Sequence, residues 1–195
     1  THTFNSGVYT ITLRAKEGSC VDTLVYTDYI EIGGALAPDF YVDTNSGCEG
    51  INVLFMDITA NNPNTFLWDF GDGVTSNIQN PSHVYSNTGI FDVSLTTSIS
   101  GQCATTFTFP NEIEVFEKPI INFSADTTYA CSFPFSVDFT DNTLDASNWT
   151  WDLGNGCSSV LNNGSVTYAN YWLYDVKLTV TNSNGCNSTV TVVNM

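Results

Sequence analysis

Basic side chains are nearly missing: Lys and Arg number 4 (Arg14, Lys16, Lys118, Lys177) against 20 Asp and Glu, a formal net charge of −16. A field of that sign repels phosphate backbones and anionic membrane surfaces, so nucleic acid is not an expected partner. Cations, basic proteins and neutral sugars remain, and the charge keeps neighbouring chains apart in solution. Long apolar runs are missing as well. None approaches the roughly 18 residues of a membrane span, and THTFNSGVYTITL at the start has neither the basic beginning nor the apolar stretch of a secretion signal. The chain therefore reads as mature or truncated material with no membrane insertion. Its six cysteines include no CxxC pair, which favours disulfides over metal ligation and an oxidising compartment, secreted or at the cell surface. There are only two histidines, His2 and His83, and no HExxH or nucleophile-elbow motif accompanies them. Paired carboxylates in so acidic a chain are no sign of glycosidase chemistry. No enzyme is expected.

What is present is strand signal. VYTITLRA, INVLFMDITA, TFLWDF, FDVSLTTSI, FSVDFTD, WTWDL and YDVKLTVT alternate apolar with polar residues at period two. Turn clusters such as NNPN, GDGVTSN, NPS, SGQ and NSNG separate them. The chain also repeats. Cys20, Cys103 and Cys186 are spaced 103 − 20 = 83 and 186 − 103 = 83, and Cys48 and Cys131 differ by 131 − 48 = 83. Phe66, Trp68 and Phe70 map onto Trp149, Trp151 and Leu153, and Tyr85, Phe91, Val93 and Leu95 onto Tyr168, Tyr174, Val176 and Leu178. Three segments follow: 1–34, 35–117 and 118–195. The first matches only the last strands of a unit, with Phe4, Gly7, Tyr9, Ile11, Leu13 and Cys20 in the places of Tyr85, Gly89, Phe91, Val93, Leu95 and Cys103. Alone it leaves an apolar sheet face and open edges. Either this stretch is cut from a larger array or another chain donates the missing strands.

The run WDFGDG at Trp68 to Gly73, then NPSHVY and TGIFDVSLT, resembles the PKD domain. The resemblance implies tandem immunoglobulin-like β-sandwiches, an all-β fold common in surface proteins. The 118–195 segment resembles it more loosely, with WDLGNG for WDFGDG and Trp172 in place of a glycine. Each block also has a physical reading. Trp68 lies with Phe66 and Phe70 on one core-facing side of a strand, and Gly71 and Gly73 permit a tight turn whose amides Asp69 or Asp72 bind. Trp151 and Asp152 repeat the arrangement. An acidic turn offers oxygens to Ca²⁺, but this one lacks the spaced carboxylates of a calcium loop and Asn155 removes one of them, so no cofactor is expected. His83 and His2 are expected to serve packing or hydrogen bonding. Tyr168 and Tyr174 match core positions, whereas Tyr171 and Trp172 are surplus in a turn. They are candidates for stacking on a sugar ring, for contact with a neighbouring module, or for burial under local loops.

In an immunoglobulin-like unit the second and sixth strands run the same way, which puts Cys48 and Cys103 at opposite ends. A strand of about seven residues separates those ends by roughly 23 Å, against the roughly 4.4–6.8 Å that a disulfide spans between Cα atoms. End-to-end units instead bring Cys48 beside Cys186. By the same rule Cys103 seeks a cysteine of the preceding unit, and Cys20 one further upstream. Cys131 would need a following unit, unless it closes locally on Cys157, which would suit a final repeat. Disulfides inside each sandwich remain the alternative.

The function expected on this basis is a non-catalytic extracellular module of a stiff stalk, filament or adhesin. Its expected partners are neighbouring repeats or subunits of the same protein, and surface glycans or proteins. An accessory or spacer module of a secreted polysaccharide- or protein-degrading enzyme is the second possibility, with Tyr171 and Trp172 as its contacts. The tripeptides NFS, NWT, NGS and NST, the pattern of a glycosylation acceptor, begin at Asn122, Asn148, Asn163 and Asn187, and an Asn-rich chain also offers them by chance.

Overall fold

The computed structural model describes residues 2–5, 7–32, 36–99 and 103–195. The expected boundary at 34/35 and the Ser100–Gln102 turn lie outside the described residues. Every regular element among the described residues is a strand: β1 (Gly7–Glu17), β2 (Cys20–Ile32), β3 (Phe40–Val42), β4 (Ser46–Cys48), β5 (Ile51–Asp57), β6 (Thr65–Asp69), β7 (Thr75–Ser76), β8 (Ser82–Tyr85), β9 (Gly89–Ser98), β10 (Thr105–Phe116), β11 (Phe123–Ala125), β12 (Phe135–Asp141), β13 (Ala146–Asp152), β14 (Ser158–Ser159), β15 (Gly164–Tyr168), β16 (Val176–Asn182) and β17 (Asn187–Val192). The alternating segments of the sequence become strands because one side of each can be buried while the other stays wet. β5 and β12 carry the same burial pattern, with Val53 and Phe55 in one and Val137 and Phe139 in the other turned inward.

β1 and β2 form a hairpin, antiparallel from Gly7 opposite Ile32 to Glu17 opposite Cys20. The later strands form two pairs of sheets, β3-β5-β8 with β4-β10-β9-β6-β7, and β11-β12-β15 with β14-β13-β16-β17. The chain divides into two compact units, and their limits are not those of the sequence repeat. The first takes Thr1–Asp43, Leu54–His83 and Phe91–Glu112; the second takes Thr44–Val53, Val84–Ile90 and Ile113–Met195.

In the first unit Trp68 is fully buried, edge-on to Phe40 at 5.0 Å and tilted against Phe55 at 5.4 Å. Its indole N–H donates to the Ile78 carbonyl at 2.9 Å, so the one polar atom of the ring is satisfied. The second unit repeats this arrangement. Trp151 is fully buried, edge-on to Phe123 at 5.1 Å and tilted against Phe139 at 5.6 Å, and it donates to the Leu161 carbonyl at 3.1 Å. Val166, Val176, Leu178 and Val180 complete that core. The hairpin has no such interior. Val8, Leu13, Val21, Leu24, Val25 and Tyr26 are all exposed on it, the condition expected of terminal strands without facing ones. A tyrosine contact of the second sandwich nevertheless recurs there: Tyr9 donates its hydroxyl to the Asn5 carbonyl at 2.9 Å, as Tyr174 does to that of Asn170 at 3.4 Å.

Candidate functional site

Three sets of residues stand out, and the acidic turns are the first. β6 ends on Asp69, whose Oδ1 accepts from the Gly71 amide at 3.0 Å, and Asp72 Oδ1 accepts from the Val74 amide at 3.1 Å. The other oxygen of Asp72 lies 2.7 Å from His83 Nε2, and the His83 ring stacks on Phe70 with centroids 4.3 Å apart. These carboxylates organise a turn. Gly71 is required there on two counts: its φ is +83°, and a Cβ would overlap the carbonyl oxygen of Asp92. Gly73 also has positive φ, but open space surrounds it. Asp152, Gly154 and Asn155 repeat the construction in the second unit, where Asp152 accepts from the Gly154 amide at 3.1 Å and Asn155 from that of Cys157 at 3.0 Å. Among the described residues no group of three or more His, Cys, Asp or Glu is placed to hold a metal ion.

The second set lies within the second compact unit and joins segment 44–53 to the β16–β17 turn. Short β4 pairs in parallel with the end of β10, Ser46 to Cys48 opposite Glu114 to Phe116. That pairing brings Cys48 to Cys186, and the two form a disulfide with their Cα atoms 5.5 Å apart. Around it the main chain is held at two successive carbonyls, those of 116 and 117. The Phe116 carbonyl accepts from the Glu49 amide at 3.0 Å and the Glu117 carbonyl from Asn182 Nδ2 at 2.9 Å. Asn182 also accepts with Oδ1 from the amides of Asn184 and Cys186, so one nearly buried side chain fixes both the turn and the connecting segment. Sequence reading missed Asn182; a buried amide in a turn gives no composition signal.

Cys20, Cys103, Cys131 and Cys157 are free and exposed. The local bond considered between Cys131 and Cys157 is not made. Cys131 lies in the loop that feeds β12, in one sheet, and Cys157 in the turn between β13 and β14, in the other.

The third set is aromatic. A cleft of about 870 Å³ opens at one end of the second sandwich. Tyr129 and Phe133 line it from the β11–β12 loop, and Tyr171, Trp172 and Leu173 from the β15–β16 turn. Val137 and Phe139, core residues, form part of its wall. Tyr171 meets Phe133 edge-on at 4.0 Å, yet it and Trp172 are each 74% exposed. Burial under local loops is therefore not their state. Tyr168 stacks on Tyr174 at 4.2 Å and donates to the Leu153 carbonyl at 2.9 Å. Burial, then the nearby Tyr174 and Cys157, raise the Tyr168 phenol above its ordinary value, so it stays a donor across the neutral range.

Comparison with known proteins places these features in a family. The PKD domain profile matches residues 38–115 and 116–195. The microbial collagenase of Vibrio alginolyticus is 38% identical over 69 residues, 33% of this chain and 8% of the collagenase, so this chain spans only a small part of that relative's length. Among solved structures, the PKD1 domain of Vibrio anguillarum Epp is 27% identical, covering 42% of this chain and 96% of that one, with a TM-score of 0.36. The PKD1 domain of the Vibrio cholerae metalloprotease PrtV is 25% identical, covering 41% of this chain and 98% of that one, with a TM-score of 0.35.

Proposed function

The chain belongs to the PKD domain family, with immunoglobulin-like sandwiches in tandem, and from that premise we propose that it is a non-catalytic, load-bearing spacer of an extracellular protein. PKD domains are generally non-catalytic modules and occur in secreted or extracellular proteins, and no helix among the described residues is long and apolar enough to cross a membrane. The observation that carries the proposal is the Cys48–Cys186 disulfide together with the hydrogen bonds to the Phe116 and Glu117 carbonyls. The two family copies abut at 115/116 without a free linker, and the bond routes tension around 138 residues of chain. A pull on the termini then reaches the second sandwich through a covalent strap rather than through its core.

Single-molecule stretching between tags at the two ends tests this. At full extension the oxidised chain should be shorter than the reduced chain by about 460–500 Å, the reach of 138 residues at about 3.3–3.6 Å each. Equal contour lengths before and after reduction would sink the strap.

A second reading, an accessory module of a secreted hydrolase, is favoured by one specific observation: exposed Tyr171 and Trp172 on the rim of the aromatic cleft. Paired rings at an open cleft suit stacking on a sugar or contact with a fibrous protein. If that is their role, the chain is retained on chitin, cellulose or collagen, and Trp172→Ala reduces retention about tenfold. A wild-type chain that passes through all three matrices would dispose of it.

A further inference from the structure

The outer face of the β3-β5 pair and that of its counterpart β11-β12 share one backbone and carry opposite side chains. In the first repeat Tyr41 stands opposite Met56, the Asp43 amide donates to the Leu54 carbonyl at 3.2 Å, and the Ile58 amide to that of Asp39 at 2.9 Å. In the second, Ser124 stands opposite Thr140, the Asp126 amide donates to the Asp138 carbonyl at 3.0 Å, and the Asn142 amide to that of Asn122 at 2.7 Å. Alternate strand residues share a face, so Asp39, Tyr41 and Asp43 form one outward row and Leu54, Met56 and Ile58 the row beside it. The second sandwich fills the same two rows with Asn, Ser and Asp, then Asp, Thr and Asn, which is what a wet sheet face calls for. The first puts four large apolar side chains there, with Tyr41 47%, Leu54 46%, Met56 41% and Ile58 53% exposed. Since the same strands form with polar residues in those places, the fold does not require the apolar set.

This patch is apolar at its centre and acidic at its border. The Tyr41 hydroxyl donates to the Met56 sulfur at 2.6 Å, so the polar tip of the ring is used inside the patch. Asp39 and Asp43 flank Tyr41, and each turns one carboxylate oxygen to a main-chain amide, that of Phe40 at 2.9 Å and that of Leu54 at 2.8 Å. All four Lys and Arg of the chain lie outside 35–117, so the charge of this repeat calls for cations from elsewhere. At about 150–250 Å² for a large side chain, four that are half exposed offer at most about 500 Å². A stable interface between globular partners needs roughly 800 Å² on each side. The patch is the size of a footprint for one extended segment.

We infer that it binds an extended segment of a partner protein in which a large apolar residue has Lys or Arg two positions away on each side. In such a strand the two cations stand about 13 Å apart, four residues at about 3.3 Å each, and the same spacing separates Asp39 from Asp43 along β3. The apolar residue between them then lies on Tyr41 and Met56, whose flexible thioether adapts to its shape. A second copy of this chain does not carry the pattern. Its Arg14 and Lys16 are two positions apart rather than four, and Lys118 and Lys177 have no cation near them in sequence. Two copies set face to face would also oppose Asp39 and Asp43 to like charges.

The inference goes beyond the spacer reading and is independent of the Cys48–Cys186 bond. Its test is the fluorescence anisotropy of a labelled nonapeptide, KTLTKTLTK, titrated with the full chain. Saturable binding is expected, weakened at least tenfold when β5 takes the residues of its counterpart through Leu54→Asp, Met56→Thr and Ile58→Asn together. That exchange makes the chain more acidic, so attraction by net charge alone would tighten binding, whereas loss of an apolar contact weakens it. Asp39→Asn with Asp43→Asn keeps the oxygens that accept from the two amides and removes two charges. It should weaken binding about fivefold, as expected for two exposed pairs, and it decides the matter if the triple variant loses its circular dichroism. The peptide ETLTETLTE should not bind. Absence of saturable binding, a folded triple variant as tight as the parent, or equal binding of ETLTETLTE overturns the inference. So does a wild-type dimer in sedimentation that the triple variant fails to form, because the face would then serve a second copy.

Discussion

A chain carrying Cys48→Ala and Cys186→Ala together is expected to lose about 2–5 kcal/mol of stability from its second compact unit. The bond spans 138 residues of sequence, and closure of a loop that long has a chain-entropy ceiling near 5 kcal/mol. For a domain of roughly 100 residues each kcal/mol is worth about 5 °C of Tm, so the transition of the second unit should fall by about 10–25 °C. Both cysteines must change at once, because a lone thiol is free to exchange with exposed Cys103 or Cys131. Alanine is the better replacement at 186, where the site is fully buried and a serine hydroxyl would need a partner. Wild-type protein under reductant should show the same drop by calorimetry. A double variant within about 2 °C of the parent would mean that β4 pairing and the Asn182 hydrogen bonds hold the segment without the bond.

Period-two alternation located the strands that bury one face. It located β5, β6, β9, β12, β13 and β16 because Val53, Trp68, Val93, Val137, Trp151 and Leu178 each point into a core while their neighbours do not. The same signal was silent for β4, three residues of Ser, Gly and Cys whose only reason to be extended is parallel pairing with β10, far away in sequence. It was weak for β10, which Pro110 interrupts, and for β2, where both faces are largely exposed and no alternation is selected. The repeat register marked Tyr171 and Trp172 as surplus to the core. It gave no hint that Tyr129 and Phe133 join them, since the places of these two rings one period earlier hold Ser46 and Gly50. Cysteine spacing by itself carries only a period; joined to the reach of a disulfide and to end-to-end units it pointed to Cys48 beside Cys186, the pair that is bonded. It is the backbone around Asn182 and β4 that sets Cys48 opposite Cys186.

The sharpest contrast between core and surface aromatics lies within one sandwich. Trp151→Ala is expected to cost about 3–5 kcal/mol, the range for deleting a large buried ring and leaving a cavity. Its ring touches Phe123 and Phe139, pairs worth about 0.5–1.5 kcal/mol each beyond area burial. The indole N–H is lost with it, which strips the Leu161 carbonyl of its donor. Set against a unit with total stability of roughly 5–15 kcal/mol, that loss removes from about a fifth of the stability to all of it. Trp172→Ala, only 21 residues away by 172 − 151, removes a side chain that is 74% exposed and should change stability by no more than about 0.5 kcal/mol. Urea titration followed by circular dichroism separates the two variants without relying on the fluorescence of the rings removed. Similar midpoints for both would place Trp151 outside the core, and with it the equivalence of Trp68 and Trp151 on which the repeat rests. If Trp172→Ala is silent in stability but reduces matrix retention, the role of the cleft is to bind rather than to support the fold.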